Sequence, residues 1–197
     1  MIGRRFICPE RRRIDIEEFD VASPQAGQVL IEQALTAVST GTEIYGWLHG
    51  GEPSQQPHFP RTTGYCSTGT ILEVGAGVTD LRPGDRVAAQ GNHASHLLSA
   101  ANVHPVPDGV SWEDAAYLTM AAIAMHGVRR AKIELGEGVV VLGLGVVGQL
   151  ALSLAQLAGA LPLIGLDLDV ERRSLAQRRG ADRVLDSADT DATVAAV

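Results

Sequence analysis

Val139-Val-Val-Leu-Gly-Leu-Gly-Val-Val-Gly148 carries the pattern that decides the fold of this 197-residue chain. Three valines and a leucine make a short apolar run of the kind a buried parallel strand needs. Gly143, Gly145 and Gly148 then stand at G-x-G-x-x-G spacing, and Gln149-Leu-Ala-Leu-Ser-Leu-Ala-Gln-Leu-Ala158 continues as a helix. The three glycines serve separate ends, namely a tight turn, close backbone approach to a pyrophosphate, and close packing of helix on strand. The helix start adds free N–H groups and a partial positive charge for the phosphates. A second apolar run, Leu161-Pro-Leu-Ile-Gly-Leu166, delivers Asp167 to the end of a strand, nineteen residues beyond Gly148. There a carboxylate accepts from both ribose hydroxyls of an adenosine and repels a 2′-phosphate, so NAD is expected over NADP. In a chain with 22 glycines the spacing alone says little. The strand before it, the helix after it and the acid at the right distance make it a dinucleotide fingerprint.

Around this unit the order is strand, helix, strand, helix (Val170–Arg179), then Arg183-Val-Leu185 as a third strand. Such alternation predicts right-handed βαβ units and a parallel sheet. Residues 1–110 read differently. Gln28–Val38, Ser67–Val74, Arg86–Ala89 and His96–Ser99 have strand composition, with Arg82-Pro-Gly-Asp85 as a turn and Gly50–Pro60 as a long loop. Many short strands separated by turns predict a barrel. Ser111-Trp-Glu-Asp114 has the form of a capping box, and Ala115–Ala131 is helical by the spacing of Leu118, Ala122, Met125 and Val128.

Composition excludes several classes. Hydrophobic residues at 45% and charged residues at 20% describe a globular chain able to bury a core. A net charge of −7 argues against nucleic acid or an anionic membrane as partner. Two cysteines, Cys8 and Cys66, cannot build a disulfide framework or a four-cysteine zinc lobe. The arginine-rich start lacks the apolar core of a signal peptide, and the longest apolar helix is too short to span a bilayer; a cytoplasmic protein is expected. Cys66 reads as a small buried hydrophobe, since no basic neighbour in sequence would activate it. His93, His96 and His104 read as single or hydrogen-bonded residues rather than a metal cluster, and His126 as a helix C-cap or packing residue.

A β-rich half followed by this unit resembles the medium-chain dehydrogenase/reductase superfamily. The carriers are Thr40-Gly-Thr-Glu43, Gly64-Tyr-Cys66, Glu73-Val-Gly-Ala-Gly-Val-Thr-Asp-Leu-Arg-Pro-Gly-Asp-Arg-Val87, Pro105-Val-Pro-Asp-Gly-Val-Ser111 and the glycine fingerprint. The form Ser39-Thr-Gly-Thr-Glu43 is similar to bacteriochlorophyllide a dehydrogenases and sugar or polyol dehydrogenase-like members. The resemblance implies a GroES-like β-barrel domain over residues 1–120 and a partial Rossmann NAD(P)-binding domain over 121–197. It further implies a cytoplasmic homodimer acting on a small-molecule substrate, by hydride transfer between nicotinamide and an alcohol or ketone.

Zinc-dependent members of the superfamily carry metal ligands where this chain has Thr40, Tyr65 and Thr119. Hydroxyls do not replace thiolate, imidazole or carboxylate on zinc, so the resemblance implies a zinc-independent member. The structural-zinc lobe is also expected to be missing, because Arg86–Gly91 runs quickly into His93–His96. Thr42 matches the residue that relays the substrate hydroxyl proton, and Tyr45 the position of the relay's distal histidine. Tyr65 and Thr119 would face the vacated metal space, and Trp47 would wall a pocket. For the cofactor, Gly143, Gly145, Val147 and Gly148 would line the pyrophosphate, while Asp167 would bind ribose with Arg172 beside it.

Three Rossmann strands are half of the six in a full dinucleotide fold, so the expected unit is truncated, with strand one exposing an edge. Two other readings stay open: an enoyl- or quinone-type reductase, and a non-catalytic nucleotide-binding or oligomerising module.

Overall fold

The computed structural model describes residues 1–51 and 57–189. The middle of the predicted 50–60 loop and the alanine-rich tail, 190–197, lie outside the described residues. The chain divides into two compact units, Met1–Thr119 and Met120–Val197.

The first unit opens with β1 (Ile2–Cys8) and β2 (Asp15–Asp20), a hairpin whose strands pair antiparallel. Neither strand is apparent from local composition, because arginines and carboxylates fill them. The pairing explains why they fold: Arg4 lies opposite Glu18 and Arg5 opposite Glu17, with side-chain contacts of 3.2 and 2.7 Å. Next come β3 (Val29–Thr36), α1 (Thr40–His49), β4 (Arg61–Thr62), β5 (Ser67–Val74), β6 (Arg86–Ala89), β7 (His96–Ser99) and β8 (Val103–Pro105). Among the described residues they form a five-stranded sheet in the order β7-β3-β5-β6-β8 and a three-stranded sheet in the order β2-β1-β4. Alternate residues of the central strands, Val29, Ile31, Ile71, Val87 and Ala89, make the core. The connection from β6 to β7 spans only residues 90–95, too short for an inserted lobe.

Helix α1 is an addition to the sequence reading, which quoted Thr40–Glu43 as a motif and assigned no element there. Its signals are Ser39 in extended conformation before it and Gly50 in the left-handed conformation after it, with the Gly50 N–H donating to Gly46 O at 2.8 Å. The predicted 115–131 helix is broken into α2 (Trp112–Ala116) and α3 (Leu118–Ala131), with Tyr117 between them. The capping box forms in altered shape. Ser111 Oγ accepts from the Asp114 N–H at 3.0 Å and donates to Asp114 Oδ2 at 2.8 Å, so the aspartate meets the hydroxyl of Ser111. Arg86 then ties β6 to this helix, its guanidinium 4.2 Å from the Trp112 ring and donating to Val110 O.

The second unit holds β9 (Val139–Leu142), α4 (Val146–Leu157), β10 (Leu163–Asp167), α5 (Val170–Arg178) and β11 (Arg183–Asp186). The strands pair parallel in the order β11-β10-β9, and every residue of central β10 is buried. Leu144, Leu152, Ala155, Leu163 and Ala176 form the core. Among the described residues β9 pairs on one edge only, with β10. No helix among the described residues is long and apolar enough to cross a membrane.

Candidate functional site

The glycine turn leaves β9 at Gly143, whose φ of +87° suits a residue without a side chain. A Cβ at Gly148 would overlap the Gly143 carbonyl oxygen, so helix α4 and the turn touch backbone to backbone. At Gly145, the N-cap of α4, an added Cβ would meet no atom of the described residues within 4 Å, which leaves the main chain open to an approaching group. Val147, on the first turn of α4, is exposed.

Asp167 closes the other side of this turn. Its carboxylate is buried and doubly held: Oδ2 accepts from the Leu144 N–H at 2.7 Å and Oδ1 from the Asp169 N–H at 2.8 Å. Those two hydrogen bonds, Asp169's first, hold the carboxyl below the ordinary carboxylate range, and the neighbouring Arg172 adds to the effect. Each oxygen keeps a second lone pair for a hydroxyl donor. Arg172 stands half-exposed with NH1 3.7 Å from Asp167 Oδ2. Asp169 caps α5 by accepting from the N–H groups of Glu171 and Arg172.

Sequence reasoning missed Gln149, which stitches this region together. Its Nε2 donates to Leu144 O at 3.2 Å and to Arg172 O at 2.9 Å, while its buried Oε1 has no hydrogen-bond partner among the described residues. A glutamine directly after the third glycine was the only local sign.

In the first unit, Thr42 and Tyr45 lie three residues apart on α1 and so share one side of the helix. Thr42 is half-buried; Tyr45 is exposed, its ring tilted against His49 with centroids 4.4 Å apart. Trp47 is half-buried, and its carbonyl accepts from the Arg12 N–H. Thr40, the first residue of the helix, is exposed. Tyr65 is half-buried just before β5, and its carbonyl accepts from Thr119 Oγ1 at 3.4 Å. Two of the three positions matched to metal ligands are thus in contact.

Of the histidines, His96 pairs with Ser95, His104 is exposed on β8, and His93 is buried in a hydrogen-bond network with Thr36 and Glu43. His126 is corrected: it is exposed and sits in the interior of α3, five residues short of its end, because the helix runs on to Ala131. Cys66 is buried. Among the described residues no three His, Cys, Asp or Glu side chains gather as a metal-binding group.

Comparison with known proteins follows these two units. Residues 25–112 match the alcohol dehydrogenase GroES-like domain family. D-guloside 3-dehydrogenase of Escherichia coli (strain K12) is 40% identical over 132 residues, covering 65% of this chain and 38% of that protein. Sorbitol dehydrogenase of Gallus gallus is 27% identical over 199 residues, covering 85% of this chain and 56% of that protein. The chain therefore spans about two fifths to just over half the length of these curated relatives. Among solved structures, an oxidoreductase/dehydrogenase of unknown specificity from Escherichia coli superposes with a TM-score of 0.89 at 21% identity, over 99% of this chain and 66% of the other. Galactitol-1-phosphate dehydrogenase from Escherichia coli gives 0.85 at 22% identity, over 97% and 63%. A GroES-like unit and a parallel glycine-turn unit meet in one chain whose matched relatives are sugar and polyol dehydrogenases: residues 25–112 belong to the alcohol dehydrogenase GroES-like domain family, and the chain as a whole resembles the medium-chain dehydrogenase/reductase superfamily.

Proposed function

We propose that the protein is a zinc-independent oxidoreductase that transfers hydride between NAD(H) and a polyol- or sugar-like alcohol or its ketone. The observation that carries the cofactor half of this reading is Asp167, a buried carboxylate at the end of β10 that faces the Gly143–Gly148 turn. The residues fit a dinucleotide. Among the described residues, Gly145 leaves open space over the first N–H groups of α4, and the buried Gln149 Oε1 beside the turn lacks a partner. Gly143, Gly145, Val147 and Gly148 would hold the pyrophosphate, Asp167 the ribose hydroxyls, and Arg172 the adenosine flank. A 2′-phosphate brought to Asp167 would meet a carboxylate held in its charged form.

The nicotinamide, when bound, supplies the hydride acceptor or donor. The chain's own groups handle charge and the proton. Tyr65 O–H would donate to the substrate oxygen, and Thr42 Oγ would take the hydroxyl proton and pass its own to Tyr45, whose exposed hydroxyl would release one to solvent. Zinc does not fit: Thr40, Tyr65 and Thr119 offer neutral hydroxyls, and no step is routed through a metal. The relatives' names, sorbitol and D-guloside dehydrogenases, support an alcohol or sugar substrate.

Two measurements test this. Titration calorimetry should show NAD(H) binding tighter than NADP(H), and Asp167→Ser with an added arginine should shift the preference toward NADP; equal or tighter NADP binding to the unchanged chain refutes it. Elemental analysis should find well below stoichiometric zinc. A full equivalent that resists chelator would sink the metal-free mechanism.

A further inference from the structure

His93 is 6% exposed, yet both ring nitrogens are engaged at 2.7 Å, Nδ1 with Thr36 Oγ1 and Nε2 with Glu43 Oε2. A carboxylate only accepts, so Nε2 carries a proton toward Glu43; the Thr36 hydroxyl can donate to Nδ1 or accept from it. The other Glu43 oxygen accepts from the Ser39 N–H at 2.7 Å, at the start of α1. The His93 main chain is equally occupied. Its N–H donates to Thr63 O at 2.7 Å, and its carbonyl accepts from the Phe6 N–H at 2.9 Å. Gly64 packs directly on the imidazole, because a Cβ there would lie 2.9 Å from ring carbons. One residue thereby ties β3, α1, β1 and the 63–64 turn together.

We propose that Glu43 and His93 are positioning residues, which lock the helix bearing Thr42 and Tyr45 against the turn bearing Tyr65 and so set the spacing of the substrate-facing hydroxyls. The role in turnover rests on the function proposed above. An apolar pair would fill this space at less desolvation cost but would leave the helix free to slide. Directional hydrogen bonds at two ends of one ring fix both distance and rotation. The groups around the ring are Glu43 from α1, Thr36 from β3, Phe6 from β1 and Gly64, with Cys8 of β1 near Glu43 and Arg61 of β4 near Cys8.

Nuclear magnetic resonance on the 197-residue chain tests the clamp without catalysis. The His93 Nε2–H should give a downfield signal slow to exchange. Glu43→Gln should abolish or shift it and also move the ring signals of Tyr65, which follows the glycine packed on the imidazole. Should Glu43→Gln fail to fold, Thr36→Val removes the opposite end of the clamp and is read the same way. Unmoved Tyr65 signals in folded Glu43→Gln and Thr36→Val overturn the proposal. In the protein encoded by the complete reading frame, Glu43→Gln should lower kcat on the order of 10²-fold through misplacement and leave the KM for NAD unchanged. An unchanged kcat, or a KM for NAD that moves with it, would also overturn it. If the wild-type protein turns over no alcohol or ketone, the proposed function falls, while the Tyr65 signals still decide the clamp.

Discussion

Tyr65→Phe and Thr42→Val should each lower turnover of the complete protein about 10²–10³-fold, or about 2.7–4 kcal/mol of transition-state stabilisation. Each change removes one oxygen and little volume. Tyr65 is half-buried, and the contact it makes with Thr119 is through its carbonyl, which phenylalanine keeps. Thr42 is half-buried on α1 and has a valine isostere. Folding should therefore survive both changes, and NADH affinity should be untouched, since the residues proposed to hold the nucleotide lie in the second unit. Steady-state rates on a panel of polyols, ketones and enones check this. Rates near wild type in both variants would remove the hydroxyls from the mechanism. Activity confined to enones, insensitive to Thr42→Val, would replace the dehydrogenase reading with an alkene reductase.

A matched pair of glycine variants should separate folding from binding in the second unit. Gly148→Ala places a Cβ on the Gly143 carbonyl, and that residue cannot swing away freely because its N–H is held by Leu166 O at 2.8 Å. Overpacking of this kind costs about 1–3 kcal/mol, so the variant should melt early. Gly145→Ala meets no atom within 4 Å, and its φ of −69° is open to any residue, so unfolding should be unchanged. If a pyrophosphate rests on that backbone, the same methyl should weaken NAD binding severely. Thermal melts and calorimetry read the two effects separately. A Gly148→Ala protein with wild-type stability contradicts the packing argument, and undiminished NAD binding by Gly145→Ala moves the pyrophosphate elsewhere.

The second unit was legible in sequence because its signals are local. An apolar strand, three glycines with separate steric roles and an acid at a strand end all act within thirty residues of one another. The first unit was legible in part. Strands β3, β5, β6 and β7 follow from composition, but β1 and β2 depend on arginine–carboxylate pairs that form only when the hairpin closes. Helix α1 hid behind Gly41 and two threonines, poor helix formers, although Ser39 and Gly50 marked both its ends. The Glu43–His93 contact joins residues fifty positions apart, and no periodicity announces it. Nor does sequence reveal that Asp167 already spends two lone pairs on backbone N–H groups, since that depends on how the turn aims them.

Both cysteines of the chain, Cys8 and Cys66, fall in the first unit, each no more than 1% exposed. Burial also pushes the Cys8 thiol up, away from the reactive thiolate. Alkylating reagents therefore reach sulfur only when that unit opens, and the second unit has no sulfhydryl to react. The chain thus comes with a chemical clock on one of its two units: the rate of label uptake times the breathing of the β-rich unit and is blind to the glycine turn.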